Sequence, residues 1–270
     1  MANGILKGKR GIIFGALDEH SIAWKVAEAA HAEGALITLT NAPIAMRMGE
    51  INKLAEKTGA TIIPADATSI EDLENLFKKS VEILGGKIDF VLHSIGMSPN
   101  VRKGREYTDL SYEFYQKTID ISAISLHKTL AVAKKQDAIN DWGSVVALTY
   151  IAAQRTFPDY GDMAEAKSVL ESIARSFGYH YGLQKKVRIN TISQSPTMTT
   201  AGKGIKGFMG FFNYAQAMSP LGNAPAEACA DYCISLFSDY TKYVTMQNLY
   251  HDGGFSNVGV SRVVMDKFEE

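Results

Sequence analysis

The sequence predicts an α/β protein in which a doubly wound parallel sheet is covered by helices on both faces. Short apolar runs alternate with longer amphipathic segments along the chain, and glycines or turn residues separate them. This alternation is typical of parallel strands joined by crossover helices. The 270 residues suffice for one large domain, and no repeat or linker divides them, so we expect a single domain over residues 1–270.

Seven apolar runs are predicted to be strands. In chain order they are residues 11–14, 35–40, 61–63, 88–92, 145–148, 187–192 and 247–251. Six amphipathic segments between them are predicted to be helices. They are residues 21–33, 50–57, 70–84, 111–135, a segment that begins at Asp162, and 225–237.

Turn and capping residues place the ends of these helices. Gly34 and Gly59 follow two of them, and Gly85-Gly86 ends a third, as expected for C-caps. Asp162 with Glu165 three residues later resembles a capping box, so a helix is predicted to start there. Pro225 suits the first residue of the last helix.

Composition excludes several classes of function. The net charge is −1, so nothing favours binding to nucleic acid or to an anionic membrane. Cys229 and Cys233 lie four apart in a helical pattern and are expected to pack as small apolar residues, forming neither a disulfide framework nor a metal site. The N-terminal stretch to Arg10 is too polar for a signal peptide, and no apolar run could span a bilayer. We expect a cytoplasmic protein.

The segment from Tyr150 to Lys167 holds the candidate catalytic residues. Tyr160 is predicted to lie just before a helix, and Lys167 within it at the edge of the apolar stripe. Near a tyrosine hydroxyl, a buried lysine would favour the phenolate and lower the tyrosine pKa. The pair would suit hydrogen bonding to a developing oxyanion. The alternative is a snorkelling lysine beside two packed tyrosines.

Ligands of open parallel sheets bind where the strands end, so the residues after each strand are informative. Gly15 ends the first strand, and Ser21-Ile22 opens the next helix, an arrangement that suits a dinucleotide pyrophosphate. The usual G-x-G-x-x-G is absent, and Ser21 could also simply cap the helix. After the second strand, the acidic residue that normally holds an NAD ribose is missing. Arg47 could meet a 2′-phosphate or lie in solvent, so the choice between NADH and NADPH stays open.

The next two strands are also followed by candidate cofactor contacts. Asp66 and Ala67 could frame an adenine ring, although Asp66 could instead cap a turn. After the fourth strand, Ser94-Ile95-Gly96 places a glycine where backbone must approach a ligand closely. His93 before them is more typical of a core histidine than of a catalyst.

A long segment after the sixth strand, about residues 197–218, combines glycines with Phe, Met and Tyr. Glycines give mobility and large apolar side chains need a surface to cover. The segment therefore predicts a helical lid over an apolar substrate. The alternative is a helical hairpin packed on the core.

Together these residues resemble the short-chain dehydrogenase/reductase superfamily, and more narrowly its divergent branch, the enoyl-acyl-carrier-protein reductases of bacterial fatty acid synthesis. Tyr160 and Lys167 have six residues between them, which is the spacing of that branch, and Tyr150 matches its second tyrosine. Four other segments are similar to the family: Gly15 to Ala23, His93 to Gly96, Thr199 to Lys206 and His251 to Ser256. The resemblance covers nearly the whole chain and implies a Rossmann-type sheet with a helical substrate-binding lid.

The chain departs from the family pattern before Pro196. The family usually has Ala-Gly-Pro where this chain has Gln194-Ser195-Pro196, in a stretch that flanks the nicotinamide. The helix from Lys117 to Leu130 contains no asparagine, so the catalytic Asn of the standard superfamily is not available there.

The resemblance implies reduction of trans-2-enoyl-acyl-carrier-protein thioesters to saturated thioesters, with NADH or NADPH as cofactor and NADH favoured. Tyr160 would stabilise the thioester oxygen, Lys167 would hold the cofactor ribose, and Tyr150 would shape the pocket or assist proton delivery. The implied cofactor contacts are Gly15, Ser21, Ile22, Asp66, Ala67, Ser94, Ile95, Gly96, Lys167, Pro196, Thr197 and Thr199. The implied substrate contacts are Met97, Tyr150, Tyr160, Phe208, Met209, Phe211 and Phe212.

The family also implies an acyl carrier protein partner and a homotetramer. Lys203 and Lys206 would attract the acidic carrier, unless they are simply solvated. Two other functions remain alternatives: a short-chain carbonyl reductase acting on 3-oxoacyl or other substrates, and a non-catalytic dinucleotide-binding sensor. The Tyr-x6-Lys spacing and the apolar lid disfavour the first. The presence of both tyrosines and the lysine disfavours the second.

Overall fold

The computed structural model describes residues 3–47 and 50–269, so the first two residues of the polar N-terminal stretch lie outside it. Its strands are β1 Arg10–Phe14, β2 Leu36–Thr40, β3 Thr61–Ile62, β4 Ile88–His93, β5 Ile139–Thr149, β6 Arg188–Gln194 and β7 Asn248–His251. They form one parallel sheet in the order β3-β2-β1-β4-β5-β6-β7. The predicted fold class is confirmed. The strand order reverses between β1 and β4, which is where a parallel sheet leaves a crevice for ligands.

The helices lie between and after these strands. They are α1 Ile22–Ala32, α2 Pro43–Met46, α3 Ile51–Thr58, α4 Ile70–Ile83, α5 Pro99–Arg102, α6 Tyr112–Ile119, α7 Ser125–Lys135, α8 Gly161–Lys185, α9 Thr200–Lys203, α10 Phe208–Met218, α11 Ala226–Phe237 and α12 Arg262–Met265. A π-helical turn, Asp120–Ile124, joins α6 to α7, so the long predicted helix is one continuous element with a wide turn inside it.

Each face of the sheet packs on its own apolar cluster. On one face, Ile13 packs with residues of α1, α3 and α11, including Cys229 and Cys233, which are free and fully buried as expected. On the other face, Ile12 packs with residues of α4, α7 and α8, including Leu170. Neighbouring strand residues thus point to opposite clusters, and burial on both faces explains why the strands are continuous apolar runs.

The capping box predicted at Asp162 is wrong. Helix α8 begins at Gly161, with Tyr160 in the N-cap position and no side-chain cap. Asp162 is instead fully buried and bonds to Ser98 and Asn100. Glu165 accepts a hydrogen bond from the Tyr107 hydroxyl at 2.6 Å rather than from the helix N-terminus.

Two smaller differences concern other elements. Pro225 is the N-cap of α11 rather than its first residue, and β5 starts at Ile139, six residues before the predicted run. Among the described helices, none has the length and apolar character needed to cross a membrane. The described residues also contain no cluster of His, Cys, Asp or Glu suited to a metal ion.

Candidate active site

A cavity of about 860 Å³ lies at the carboxyl ends of the strands, beside the point where the strand order reverses. Of the contact residues predicted from the sequence, all but Met209 and Phe212 line it. They are Gly15, Ser21, Ile22, Asp66, Ala67, Ser94, Ile95, Gly96, Met97, Tyr150, Tyr160, Lys167, Pro196, Thr197, Thr199, Phe208 and Phe211. Met209 is half exposed on α10, and Phe212 lines a smaller neighbouring cavity.

Gly15 is required by the turn between β1 and α1. Its φ of +91° lies in the region that favours glycine, and a Cβ there would approach the carbonyl oxygen of Ser94 to 2.0 Å. The ends of β1 and β4 can therefore meet closely only with glycine at this position. The result is a shallow backbone cradle in front of α1, as an anionic ligand at a helix N-terminus needs.

Ser21 occupies the N-cap position of α1, as one of the two alternatives predicted, but its side chain makes no capping hydrogen bond and instead orders the preceding loop. Its hydroxyl donates to the carbonyl oxygen of Asp18 at 2.7 Å and accepts from the N–H of Leu17 at 3.3 Å. The α1 N–H groups near Ser21 and Ile22 are thus left without this side-chain acceptor.

Asp66 caps a turn and His93 lies in the core, and the adenine contact of Asp66 stays a prediction. The Asp66 carboxylate accepts from the N–H and the hydroxyl of Thr68, at 2.8 and 2.7 Å, and so caps a turn while the residue lines the cavity. The fully buried His93 ring pairs with the Ser125 hydroxyl at 2.9 Å. Burial, together with the charge of Lys167, lowers the pKa of His93 to about 3, as suits a neutral core histidine.

Lys167 is buried, and two backbone carbonyls hold its ammonium. It donates to Leu148 O at 2.8 Å and to Ile95 O at 3.3 Å, at the ends of β5 and β4. Burial lowers its pKa to about 8, although Glu171 one turn along α8 opposes the shift. Since a Cβ on Gly96 would lie only 3.6 Å from the ammonium nitrogen, the backbone passes close to the charge.

Tyr150 and Tyr160 lie side by side at the cavity wall, with ring centroids 5.2 Å apart. The Tyr150 hydroxyl is buried and makes no hydrogen bond with any described residue. The expectation that Lys167 lowers the tyrosine pKa is wrong for this structure. Burial raises the pKa of Tyr160. Burial is also the largest cause of the raised pKa of Tyr150, and the nearby Tyr160 and Asp252 raise it further. Both phenols therefore stay protonated, as hydrogen-bond donors must.

The lid places an aromatic side chain against Tyr150. The ring centroid of Phe211, on α10, lies 5.9 Å from that of Tyr150 and 4.9 Å from that of Phe157. All three residues line the cavity. Phe157 is a site residue that sequence analysis missed, because a single aromatic residue in a loop carries no pattern. Ile121 was missed as well; it enters the cavity from the π-helical turn, a feature often found at functional sites.

Gln194 and Ser195, the two residues that depart from the family pattern, are buried and hydrogen-bonded. The Gln194 amide oxygen pairs with His251 Nδ1 at 2.7 Å, and its nitrogen donates to Thr197 Oγ1 at 3.2 Å. The Ser195 hydroxyl accepts from the N–H of Ala224 at 2.8 Å. These bonds fix the backbone that leads to Pro196 and Thr197 in the cavity wall.

Comparisons with known proteins agree on one group of relatives. The family model described as "Enoyl-(Acyl carrier protein) reductase" matches residues 15–256. Enoyl-[acyl-carrier-protein] reductase [NADH] 1 of Rhizobium meliloti is 33% identical over 264 residues, which cover 97% of this chain and 95% of that protein. The corresponding FabI [NADH] of Rickettsia bellii is 33% identical over 267 residues, covering 98% and 100%. The FabI–NADH complex from Alistipes finegoldii matches the structure with a TM-score of 0.96 at 66% identity, covering 97% of this chain and 93% of that one.

Proposed function

The chain belongs to the enoyl-(acyl carrier protein) reductase family, and we infer from this that it reduces trans-2-enoyl-acyl-carrier-protein thioesters to saturated acyl thioesters with NADH, in fatty acid biosynthesis. The observation that carries the inference is that one cavity is lined by two adjacent tyrosines and by a buried lysine. Tyr150, Tyr160 and Lys167 line this cavity together with the Gly15 turn and residues of the lid.

The residues present fit a dinucleotide cofactor. The Gly15 cradle before α1 suits a pyrophosphate, and the buried Lys167 ammonium faces the cavity as a donor for ribose hydroxyls. Arg47 is exposed and lies outside the cavity wall, so no contact supports its pairing with a 2′-phosphate, which agrees with NADH as the cofactor. When bound, NADH supplies the hydride. The predicted cofactor contacts between Gly15 and Thr199 are part of this proposal.

In the proposed mechanism, the protein stabilises the negative charge that builds on the thioester oxygen. Tyr160 donates a hydrogen bond to this oxygen, and its raised pKa keeps the phenol protonated while it does so. The Lys167 cation lines the same cavity, and its positive charge favours the same developing negative charge. Tyr150 shapes the pocket or assists proton delivery, and Met97, Phe208 and Phe211 cover the acyl chain and exclude water. Met209 and Phe212 remain proposed contacts of the lid.

The proposal extends to assembly and partner. Lys203 and Lys206 are exposed on the lid, and Lys206 lines the cavity, so they can attract the acidic carrier protein that bears the substrate. We also propose a single domain with its lid at about 197–218, a homotetramer, and a cytoplasmic location; these rest on the family and on the sequence.

Oxidation of NADH, followed at the nicotinamide absorbance, tests the function. The purified chain is given 2-enoyl thioesters in one series and 3-oxoacyl thioesters in a parallel one. Oxidation with the enoyl substrates alone is the expected result. Oxidation with the 3-oxo substrates alone would make the chain a carbonyl reductase, and tight NADH binding with no oxidation in either series would make it a sensor.

A further inference from the structure

A carboxylate is fully buried in the first turn of α8, two residues after Tyr160. Asp162 has 0% of its surface exposed, and such a group is costly to bury unless its oxygens are hydrogen-bonded. Oδ1 accepts from the Ser98 hydroxyl at 2.6 Å, and Oδ2 accepts from the Asn100 amide nitrogen at 2.8 Å. Its place in the first helical turn adds a favourable interaction with the helix dipole. The carboxylate is therefore well accommodated at this depth.

The two donors join Asp162 to two other segments of the chain. The Ser98 hydroxyl also accepts from the N–H of Val101 at 3.0 Å and so caps α5. The Asn100 side chain binds both backbone groups of Ser111, the N-cap of α6: it accepts from the N–H at 3.0 Å and donates to the carbonyl at 3.1 Å. One carboxylate thus ties the starts of α5, α6 and α8 together.

These segments form the wall of the cavity next to Tyr160. Met97, Ser98 and Val101 line it from the α5 side, and Tyr160 and Met163 line it from the start of α8. Gly161 separates Tyr160 from Asp162, and a Cβ there would touch Val101 at 3.5 Å, so the two sides are closely packed. Since the Tyr160 backbone is directly connected to this anchor, a shift of α5 relative to α8 changes where the phenol stands against the substrate.

We propose that Asp162 is a positioning residue for enoyl reduction: through Ser98 and Asn100 it fixes the α5 wall against the start of α8 and so places the Tyr160 hydroxyl at the thioester oxygen. The inference rests on the proposed function. A displacement of about 1 Å is enough to lower turnover by about a hundredfold when a reacting group must be aligned. Gly15 donates its backbone N–H to Thr40 O and makes no hydrogen bond with Ser98, Asn100 or Asp162, so we expect loss of the anchor to affect turnover more than NADH binding.

Three variants test the proposal: Asp162→Ala, Asp162→Asn and, as the control on the same helical turn, Glu165→Gln. Steady-state kinetics with NADH and a 2-enoyl thioester give kcat and KM, fluorescence titration gives the NADH dissociation constant, and thermal unfolding establishes that each variant is folded at the assay temperature. We expect Asp162→Ala to lower kcat at least tenfold, with NADH affinity within twofold of the unmodified chain. Asp162→Asn keeps an acceptor for Asn100 and should recover most of kcat. Glu165→Gln should leave kcat unchanged.

A folded Asp162→Ala protein with normal kcat and only a lower Tm would overturn the proposal, because it would make the network merely structural. Equal losses in Asp162→Asn and Asp162→Ala would also overturn it, since shape and acceptor would then not matter. If Asp162→Ala does not fold, Ser98→Ala decides: a lower kcat with unchanged NADH affinity supports positioning, and unchanged kcat refutes it. An unmodified chain that binds NADH without turning over the enoyl substrate defeats the proposed function itself, and the role of Asp162 with it.

Discussion

The ammonium nitrogen of Lys167 donates to the carbonyl oxygen of Leu148 at 2.8 Å, which joins helix α8 to the end of strand β5. Its second acceptor, Ile95 O at 3.3 Å, follows β4, the neighbouring strand. Both acceptors are neutral, so the positive charge is fixed in place without being cancelled by them. The lysine is consequently oriented at the cavity by a backbone group of the sheet and by one that directly follows it.

Replacing Tyr160 with Phe removes the donor that the mechanism places on the thioester oxygen. We expect kcat to fall about a hundredfold or more, as for loss of one donor to a developing oxyanion, with little change in the NADH dissociation constant. Steady-state kinetics and a fluorescence titration measure the two quantities. Tyr150→Phe is the matched comparison, because it removes the neighbouring hydroxyl, to which the mechanism assigns no contact with the thioester oxygen, and its loss of kcat should be smaller. Equal kcat in both variants would show that Tyr160 is not the specific donor to the thioester oxygen.

Replacing Lys167 with Met keeps most of the side-chain volume and removes the charge. A charge-assisted hydrogen bond contributes about 1.5–3 kcal/mol, so we expect NADH to bind about tenfold or more weakly and kcat to fall as well. Isothermal titration gives the affinity. Lys135→Met is the control, because that lysine is exposed and pairs with Glu74 on the outer surface. Normal NADH affinity in Lys167→Met would contradict the assignment of the ribose contact.

The burial of Lys167 also predicts how stability changes with pH. Its folded pKa of about 8 lies below the usual 10.5, so between these values the unfolded chain binds more protons than the folded one. The free energy of unfolding should therefore rise with pH from about 8 to 10.5, relative to Lys167→Met, by about 3 kcal/mol at most. Urea denaturation of both proteins at several pH values measures the difference in their free energies of unfolding. The contribution of the buried tyrosines is the same in both proteins and drops out of this difference. A difference that stays constant over this range would show that Lys167 keeps an ordinary pKa.

Much of the fold was predictable because burial on both faces makes each strand a continuous apolar run, as in Val145–Leu148. The residues after each strand could be assigned to one site because the carboxyl ends of parallel strands lie at the same edge of the sheet. Lys167 could be singled out by its spacing from Tyr160. Its partners could not, because Leu148 and Ile95 contribute only backbone carbonyls, which leave no trace in a sequence.

The incorrect predictions have two physical causes: the depth at which a side chain is buried, and hydrogen-bond partners that the local sequence pattern does not reveal. Asp162 and Glu165 have the spacing of a capping box, but Ser98 and Asn100, more than 60 residues earlier, supply donors that hold Asp162 inside. The pKa of Tyr160 was expected to fall because of the lysine, whereas desolvation, which the sequence does not reveal, raises it. Ser21 has the right position for a cap, yet its hydroxyl is taken by the backbone of Asp18.

Charge reversal on the lid tests recruitment of the carrier protein. The double variant Lys203→Glu, Lys206→Glu should lower kcat/KM for a carrier-linked enoyl substrate about tenfold at low salt, because complementary charge raises the encounter rate. The loss should shrink as salt is added, since screening reduces the attraction. An uncharged short thioester of the same acyl chain is the control substrate and should be reduced at the unmodified rate. A carrier-linked rate that is independent of salt in the unmodified chain would dismiss steering by these lysines.

In the proposed reaction, hydride from NADH is added to C3 of a 2-enoyl thioester. The most direct measurement is mass spectrometry of the acyl product after turnover with NADH that carries deuterium at both C4 positions. We expect one deuterium per product molecule, at C3 of a saturated acyl chain, and none at C2, which takes its proton from solvent. Deuterium on a carbon that bears a new hydroxyl group, or an enoyl substrate recovered unlabelled and unreduced, would contradict the account.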